Sequence, residues 1–220
     1  RPDGLAIACL APASDIPIIN EAINAGLSVI TFDTDAPNSL RKCYIGHPDD
    51  YQDGQDLAKF LAKQIDYNGK VGILSGTLAA PNHLGRVRGF RDGISQFKDI
   101  KIVFERPDND EMEKAVAYTE NALEAYPDIK GFFCCNASNP IGCARAIKTA
   151  GKAGQVHIVG MDDMPETIQF IKDDVIDGIK MQRQWEIGYW AIMYMAAINQ
   201  GHTIPKEHTI GSRLLTKEDI

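Results

Sequence analysis

A set of polar residues stands where short apolar runs give way to turns, and their types fit one kind of chemistry. Asp33 and Asp35 follow the run at 27–32, and Asp108 and Asn109 follow the run at 101–105. Asn136 closes the run at 131–135, Asp162 the run at 155–161, and Gln182 the run at 177–181. Asn82 and Arg86, one helical turn apart, come after the run that ends at Gly76-Thr77. Carboxylates and amides accept hydrogen bonds from hydroxyls, while Arg and Asn donate to ring and hydroxyl oxygens. A neutral polyol entering a dry site needs nearly every hydroxyl paired, because each unpaired polar group costs about 1–3 kcal/mol. Each residue also suits a helix cap or a turn, and Asp163, two residues before Pro165, reads as a cap. What marks the set is that its members fall at one end of their elements.

Placing them together requires parallel strands separated by helices, and the hydropathy pattern supplies both. Apolar runs at 5–10, 27–32, 70–74, 101–105, 131–135, 155–161 and 177–181 read as strands. A helix is predicted from a cap at Ser14 or Asp15, with Ile16, Ile19 and Ile23 on one face and Gly26 as its stop. Periodicity predicts further helices over 52–65, 82–97, 111–126, 165–172 and 185–200. Another is opened by Asn139-Pro140 and closed by Gly151. Strands alternating with helices mean βαβ units and a parallel sheet. Strands apolar on both faces mean helices on each side. In such sheets ligands bind outside the carboxyl ends of the strands, where the polar set lies.

Composition narrows the function classes. The 220 residues suffice for one large domain or two small lobes. Lys and Arg total 23 against 30 Asp and Glu, a net charge of −7, opposite to the basic face that nucleic acid requires. No run approaches the ~18 apolar residues of a membrane span. Cys9, Cys43, Cys134, Cys135 and Cys143 lack metal-ligand spacing and read as buried small hydrophobes. There is no GxSxG, P-loop, HExxH or GxGxxG pattern. His83 has no nucleophile beside it and reads as a first-turn helix residue. Asp33 and Asp35, two apart on an extended segment, would point opposite ways. No catalytic residue, metal ligand or cofactor is assigned, and the Asn136-Ala137-Ser138 sequon reads as chance.

At this point the chain resembles a family. The stretches Asp3-Gly4-Leu5-Ala6-Ile7-Ala8, Val29-Ile30-Thr31-Phe32-Asp33-Thr34-Asp35 and Tyr44-Ile45-Gly46 look like those of sugar-binding type I periplasmic binding proteins. So do Pro81-Asn82-His83-Leu84-Gly85-Arg86-Val87-Arg88-Gly89-Phe90, Ile158-Val159-Gly160-Met161-Asp162 and Gln182. The nearest in kind are ribose- and galactose-binding components of ABC importers. The resemblance implies an α/β fold of two Rossmann-like parallel-sheet lobes joined by three crossovers, with a small sugar clamped between them on hinge closure. It places 1–46 plus 183–209 in the first lobe and 47–182 plus 210–220 in the second. It implies sugar contacts from Asp33, Arg86, Asn82, Asn136, Asp162 and Gln182, with Asp35 the weakest member. It also implies a membrane permease as partner and a periplasmic or lipoprotein location. The same fold serves lac-repressor-type cores and histidine-kinase-coupled sensors, which is the alternative function. Two departures stand out. Asn109 occupies a position where the family usually stacks an aromatic ring on the sugar. The family's first βαβα stretch, about 60 residues at ~30 per unit, has no counterpart, so the amino-terminal part of the first lobe is expected to be missing.

Overall fold

The computed structural model describes residues 2–220; Arg1, which begins the opening Arg1-Pro2-Asp3-Gly4 segment, lies outside the described residues. The elements run β1 (Gly4–Ile7), α1 (Pro12–Asn24), β2 (Ser28–Asp33), β3 (Tyr44–Gly46), α2 (Asp50–Gln64), β4 (Gly69–Leu74), α3 (Pro81–Ile94) and β5 (Ile100–Arg106). They continue α4 (Met112–Ala125), β6 (Ile129–Cys134), α5 (Ser138–Thr149), β7 (His157–Met161), α6 (Pro165–Lys172), β8 (Gly178–Gln182), α7 (Gln184–Asn199), β9 (Glu207–Thr209) and β10 (Ser212–Thr216). The chain divides into two compact units. One holds the amino terminus to Pro48, Ala79–Pro81 and Gln182–Ser212; the other holds Asp49–Leu78, Asn82–Met181 and Arg213–Ile220.

The first unit carries a sheet of order β1-β2-β3-β9, with parallel pairing that sets Ile7 beside Thr31 and Asp33 beside Gly46. Successive strand side chains point to opposite faces, so Val29 and Ile30 serve two cores. Val29 joins Cys9, Ile19 and Ala36 with α1, whereas Ile30 joins Ile45 and Cys43 with Ile187 and Ala191 of α7. Trp190, Tyr194, Met195 and Ile198 of α7 pack against the same core, while other apolar residues of the helix face out: Trp185 is 77% and Ile192 70% exposed.

The second unit is built on a six-stranded sheet of order β10-β8-β7-β6-β4-β5. The same alternation splits its core. Phe132 and Cys134 of β6 pack with Ile141, Ile147 and Phe170 on one face. Phe133 and Cys135 pack with Leu57, Leu61 and Phe90 on the other. Phe90 stacks on Phe133 with ring centroids 4.4 Å apart. Helices therefore cover both faces, which is the α/β parallel architecture expected. All five cysteines are buried and free.

Several local expectations are corrected. α1 starts at Pro12, before Ser14, and Ser14 donates back to the Ala11 carbonyl instead of capping. Proline's fixed φ suits a first helical turn. The first strand stops at Ile7. Asp163 does not cap α6; Met164 holds that position without a side-chain hydrogen bond. Asn139 does not open α5, since Asn136 accepts from the backbone N–H groups of both Ser138 and Asn139 at 3.1 and 3.0 Å. The strands β3, β9 and β10 had no counterpart among the apolar runs. No helix among the described residues is long and apolar enough to cross a membrane.

Candidate functional site

Left-handed backbone is uncommon outside glycine, and where it persists the surroundings must hold it. Among the described residues it occurs at Asp33, Asp66, Tyr67, Asn109, Asp110, Asp162 and Asp174. Asp33, Asn109, Asp110 and Asp162 are at or just beyond the carboxyl ends of β2, β5 and β7. The strands thus deliver acidic and amide side chains at tight turns, in a conformation that Asp and Asn tolerate best.

In the second unit, Arg86 is 2% exposed. A buried guanidinium demands partners. Its Nε lies 2.8 Å from Asp50 Oδ1, and its Nη1 donates to the Cys135 carbonyl at 3.2 Å. Glycines make this possible. A Cβ on Gly54 would stand 2.0 Å from the Arg86 carbonyl oxygen, and one on Gly89 would stand 1.9 Å from the Tyr51 carbonyl oxygen. α2 and α3 therefore touch backbone to backbone, which brings Asp50 to Arg86. Asn82 is buried on the first turn of α3, and its Oδ1 accepts from the His83 N–H at 2.9 Å.

The ends of β4, β5 and β6 meet next to this pair. Asp108 is fully buried and accepts from the N–H groups of Gly76 (3.1 Å) and Asp110 (3.0 Å). Asn136, whose Oδ1 caps α5, donates through Nδ2 to Asp108 at 3.4 Å and to Asp110 at 2.5 Å. Asp110 also accepts from the Thr77 hydroxyl at 2.6 Å. His83 Nδ1 accepts from the Thr77 N–H at 3.0 Å, so the neutral ring carries its proton on Nε2, 3.8 Å from Asp110 Oδ1. Gly76 sits amid them at φ +66°, and a Cβ there would come within 2.9 Å of His83, Asn136 and Cys135. Asn109 itself is exposed and gives its backbone N–H to the Gly76 carbonyl.

Cys135 shows that these charges share one neighbourhood. Burial pushes its thiol well above the ordinary range; Asp108, Asp110 and Asp162 push it further and Arg86 pulls it down. Asp162, half-buried, donates its backbone N–H to the Lys180 carbonyl at 2.9 Å. The structure thus gathers Arg86, Asp108, Asn136 and Asp162 of the sequence-derived set. It adds Asp50, Asp110 and Thr77, which the sequence analysis did not single out as site residues. Asp50 pairs with a residue 36 positions away, a separation that leaves no local signal. The spacing of Gly85, Gly89 and Gly93 by four was the readable sign that α3 presents a small-residue stripe to a neighbour.

In the first unit, Asp33 is half-buried at the end of β2. Its carboxylate accepts from the Thr34 hydroxyl at 3.1 Å, and its carbonyl from the Tyr44 hydroxyl at 2.8 Å. Asp35 is differently employed. Arg41 Nη2 at 2.6 Å and the Thr31 hydroxyl at 2.6 Å occupy its carboxylate. Gln182 is buried at the last position of β8, where the chain enters the first unit. A cavity of about 310 Å³ opens in the second unit between the carboxyl end of α2, the turn before β8 and the end of β10, lined by Phe60, Lys63, Ile171, Thr216 and Lys217 among others. It is remote in the fold from the strand-end polar set, and its Lys217 is paired with Asp174.

Donors and acceptors converging from strand ends can hold a small hydroxylated molecule, and known proteins of similar sequence are of that kind. The D-ribose/D-allose-binding protein of Pseudomonas aeruginosa is 31% identical over 176 residues, 78% of this chain and 55% of that protein. The chain thus spans little more than half the length of this relative. The crystal structure of GanP, a glucose-galactose binding protein from Geobacillus stearothermophilus, is 32% identical with a TM-score of 0.90, over 99% of this chain and 78% of the other. An ABC transporter solute binding protein from Burkholderia graminis, solved in complex with D-arabinose, is 30% identical with a TM-score of 0.92, over 99% and 76%. The family model described as periplasmic binding protein domain matches residues 1–203. A match over so much of the sequence, on a fold of parallel sheets with polar strand ends, means that the chain belongs to the periplasmic binding protein domain family.

Proposed function

We propose that this chain binds a small neutral sugar or polyol without converting it and hands it to the membrane permease of an ABC-type importer, outside the cytoplasm. The observation that carries the reading is the strand-end cluster of Arg86, Asn136, Asp108, Asp110 and Asp162 around Cys135. It offers a guanidinium, an amide and carboxylates within one small region, the mixture a polyol needs. The relatives' names, for D-ribose/D-allose and for glucose-galactose binding, support the same ligand class. Asn82, Asn109, Asp33 and Gln182 are assigned as further contacts. Asp35 is assigned a lesser, indirect part, consistent with its engagement by Arg41. The lobes are assigned as 1–46 plus 183–209 and 47–182 plus 210–220, supported by the two compact units, and closure on ligand follows as a population shift.

A thermal-shift panel of aldopentoses, aldohexoses and pentitols tests the reading. Ligand that binds only the folded state stabilises it by about 2.7 kcal/mol at a hundredfold excess over Kd, so at least one sugar raises the melting temperature by several degrees. No shift with any member of the panel would refute the reading.

A further inference from the structure

We propose that Asp110 is the specificity-determining residue of the strand-end cluster: its carboxylate accepts hydrogen bonds from a neutral sugar and turns away sugars bearing a carboxylate or a phosphate. The proposal rests on the sugar-binding reading above and narrows the ligand class.

Three features single out Asp110. The first is fixation. Thr77 Oγ1 at 2.6 Å and Asn136 Nδ2 at 2.5 Å hold one carboxylate oxygen each, and the Asp110 N–H is tied to Asp108 at 3.0 Å. The side chain is thereby anchored to the ends of β4, β5 and β6, and the left-handed backbone at φ +63° aims it there. A group fixed beforehand loses little entropy on binding. The second is access. Asp108 has no exposed surface, whereas the Asp110 side chain is 38% exposed. Each carboxylate oxygen has two acceptor positions, and the Thr77 and Asn136 bonds use one on each oxygen. With His83 Nε2 standing 3.8 Å from Oδ1 and the side chain 38% exposed, acceptor capacity remains for a hydroxyl donor.

The third is charge. Asp108, Asp110 and Asp162 all act on the Cys135 thiol, and Arg86 is the cation that opposes them. Arg86 is itself paired with Asp50. A hydroxyl entering here meets acceptors, but a ligand anion meets surplus negative charge in a place where burial weakens screening. Specificity of this type comes from rejection as much as from attraction. Asp110 is the most exposed member of the acidic group, with Asp162 half-buried and Asp108 enclosed, so the discrimination passes chiefly through it.

Isothermal titration of the full 220-residue chain tests this, with each aldohexose paired with its uronate and each aldopentose with its 5-phosphate. The unaltered chain is expected to prefer the neutral member of its best pair by a hundredfold or more. Asp110→Asn keeps the size and the Thr77 bond but sets an amide donor against Asn136 Nδ2 and removes the charge. It should shrink that preference tenfold or more. Asp173→Asn, an exposed carboxylate elsewhere, should leave it unchanged. If Asp110→Asn does not fold, Thr77→Val, which frees the carboxylate without removing it, should lower the neutral sugar's affinity tenfold. An unchanged preference in Asp110→Asn, or anions bound as well as sugars by the parent, would overturn the role of Asp110 while leaving sugar binding intact. A parent that binds none of the neutral sugars would overturn both.

Discussion

Arg86 is at once a ligand candidate and a structural tie. A solvated surface arginine can be removed at little cost, but this one is enclosed, with Asp50 on one side and the Cys135 carbonyl on the other. Deleting its side chain strands both partners. Arg86→Ala is therefore expected to lower the urea-unfolding free energy by about 3 kcal/mol, the lower end for breaking a buried pair, as well as to abolish sugar binding. Arg86→Lys keeps a charge near Asp50 but not the planar fork, so it should recover part of the stability and little of the affinity. A double-mutant cycle with Asp50→Ala separates the two effects: the coupling appears in stability only if the pair forms as described. Equal stability of Arg86→Ala and the parent would show that the guanidinium is not enclosed. The polar nature of the site was legible at this scale, because Asp and Asn after an apolar run are conspicuous. What each one does was not. Asn136 ends an apolar run, as expected of a contact, and it also caps α5, a task the sequence pattern assigned to Asn139 because Pro140 follows it.

The elements explain why such pairs form. α2 and α3 come into direct backbone contact through Gly54 and Gly89, and that contact fixes the distance between Asp50 and Arg86. Adding a methyl at either glycine must push the helices apart. Gly54→Ala and Gly89→Ala are each expected to destabilise by about 3 kcal/mol, the upper end for overpacking, and to weaken sugar binding through the displaced Arg86. Gly188→Ala is the contrast. It lies in α7 with nothing within 4 Å of the added atom, so the gain in helix propensity should stabilise by about 0.5–1 kcal/mol. Denaturant midpoints for the three variants decide the matter; a neutral Gly54→Ala would mean that the helices do not meet there. Most helices and most of the longer strands could be read from periodicity, because burial on one stripe or on both strand faces leaves a pattern; β10 could not, because Arg213 and Leu214 are exposed and Leu215 is its one buried residue. The three-residue strands β3 and β9 could not. They are too short to show a period, and they exist because neighbouring strands offer an edge to pair with.

Across the whole molecule, stability carries a pH dependence traceable to one pair. His157 at the start of β7 and Asp177 just before β8 lie 2.8 Å apart, and the other Asp177 oxygen accepts the Ile158 N–H at 2.8 Å. The hydrogen bond to Asp177 raises the His157 pKa above 6.5; partial burial and Lys130 oppose the rise, and the charges of Asp177 and Asp66 reinforce it. A pKa raised in the folded state means that folding favours the protonated ring. The stabilisation is complete below the unfolded value near 6.5 and disappears as pH climbs through the higher folded-state value. Both side chains are partly exposed, so the contribution is of the order of 1 kcal/mol or less. Urea unfolding at pH 5.5 and pH 8.5 should therefore show the parent losing more stability on alkalinisation than His157→Gln, in which the titrating ring is gone. The carboxylate and the other histidines remain in both proteins, so the difference between the two pH slopes isolates this pair. Parallel slopes would mean that the imidazole does not hold its proton against Asp177, and that the junction of β7 and β8 is maintained by the Ile158 bond alone.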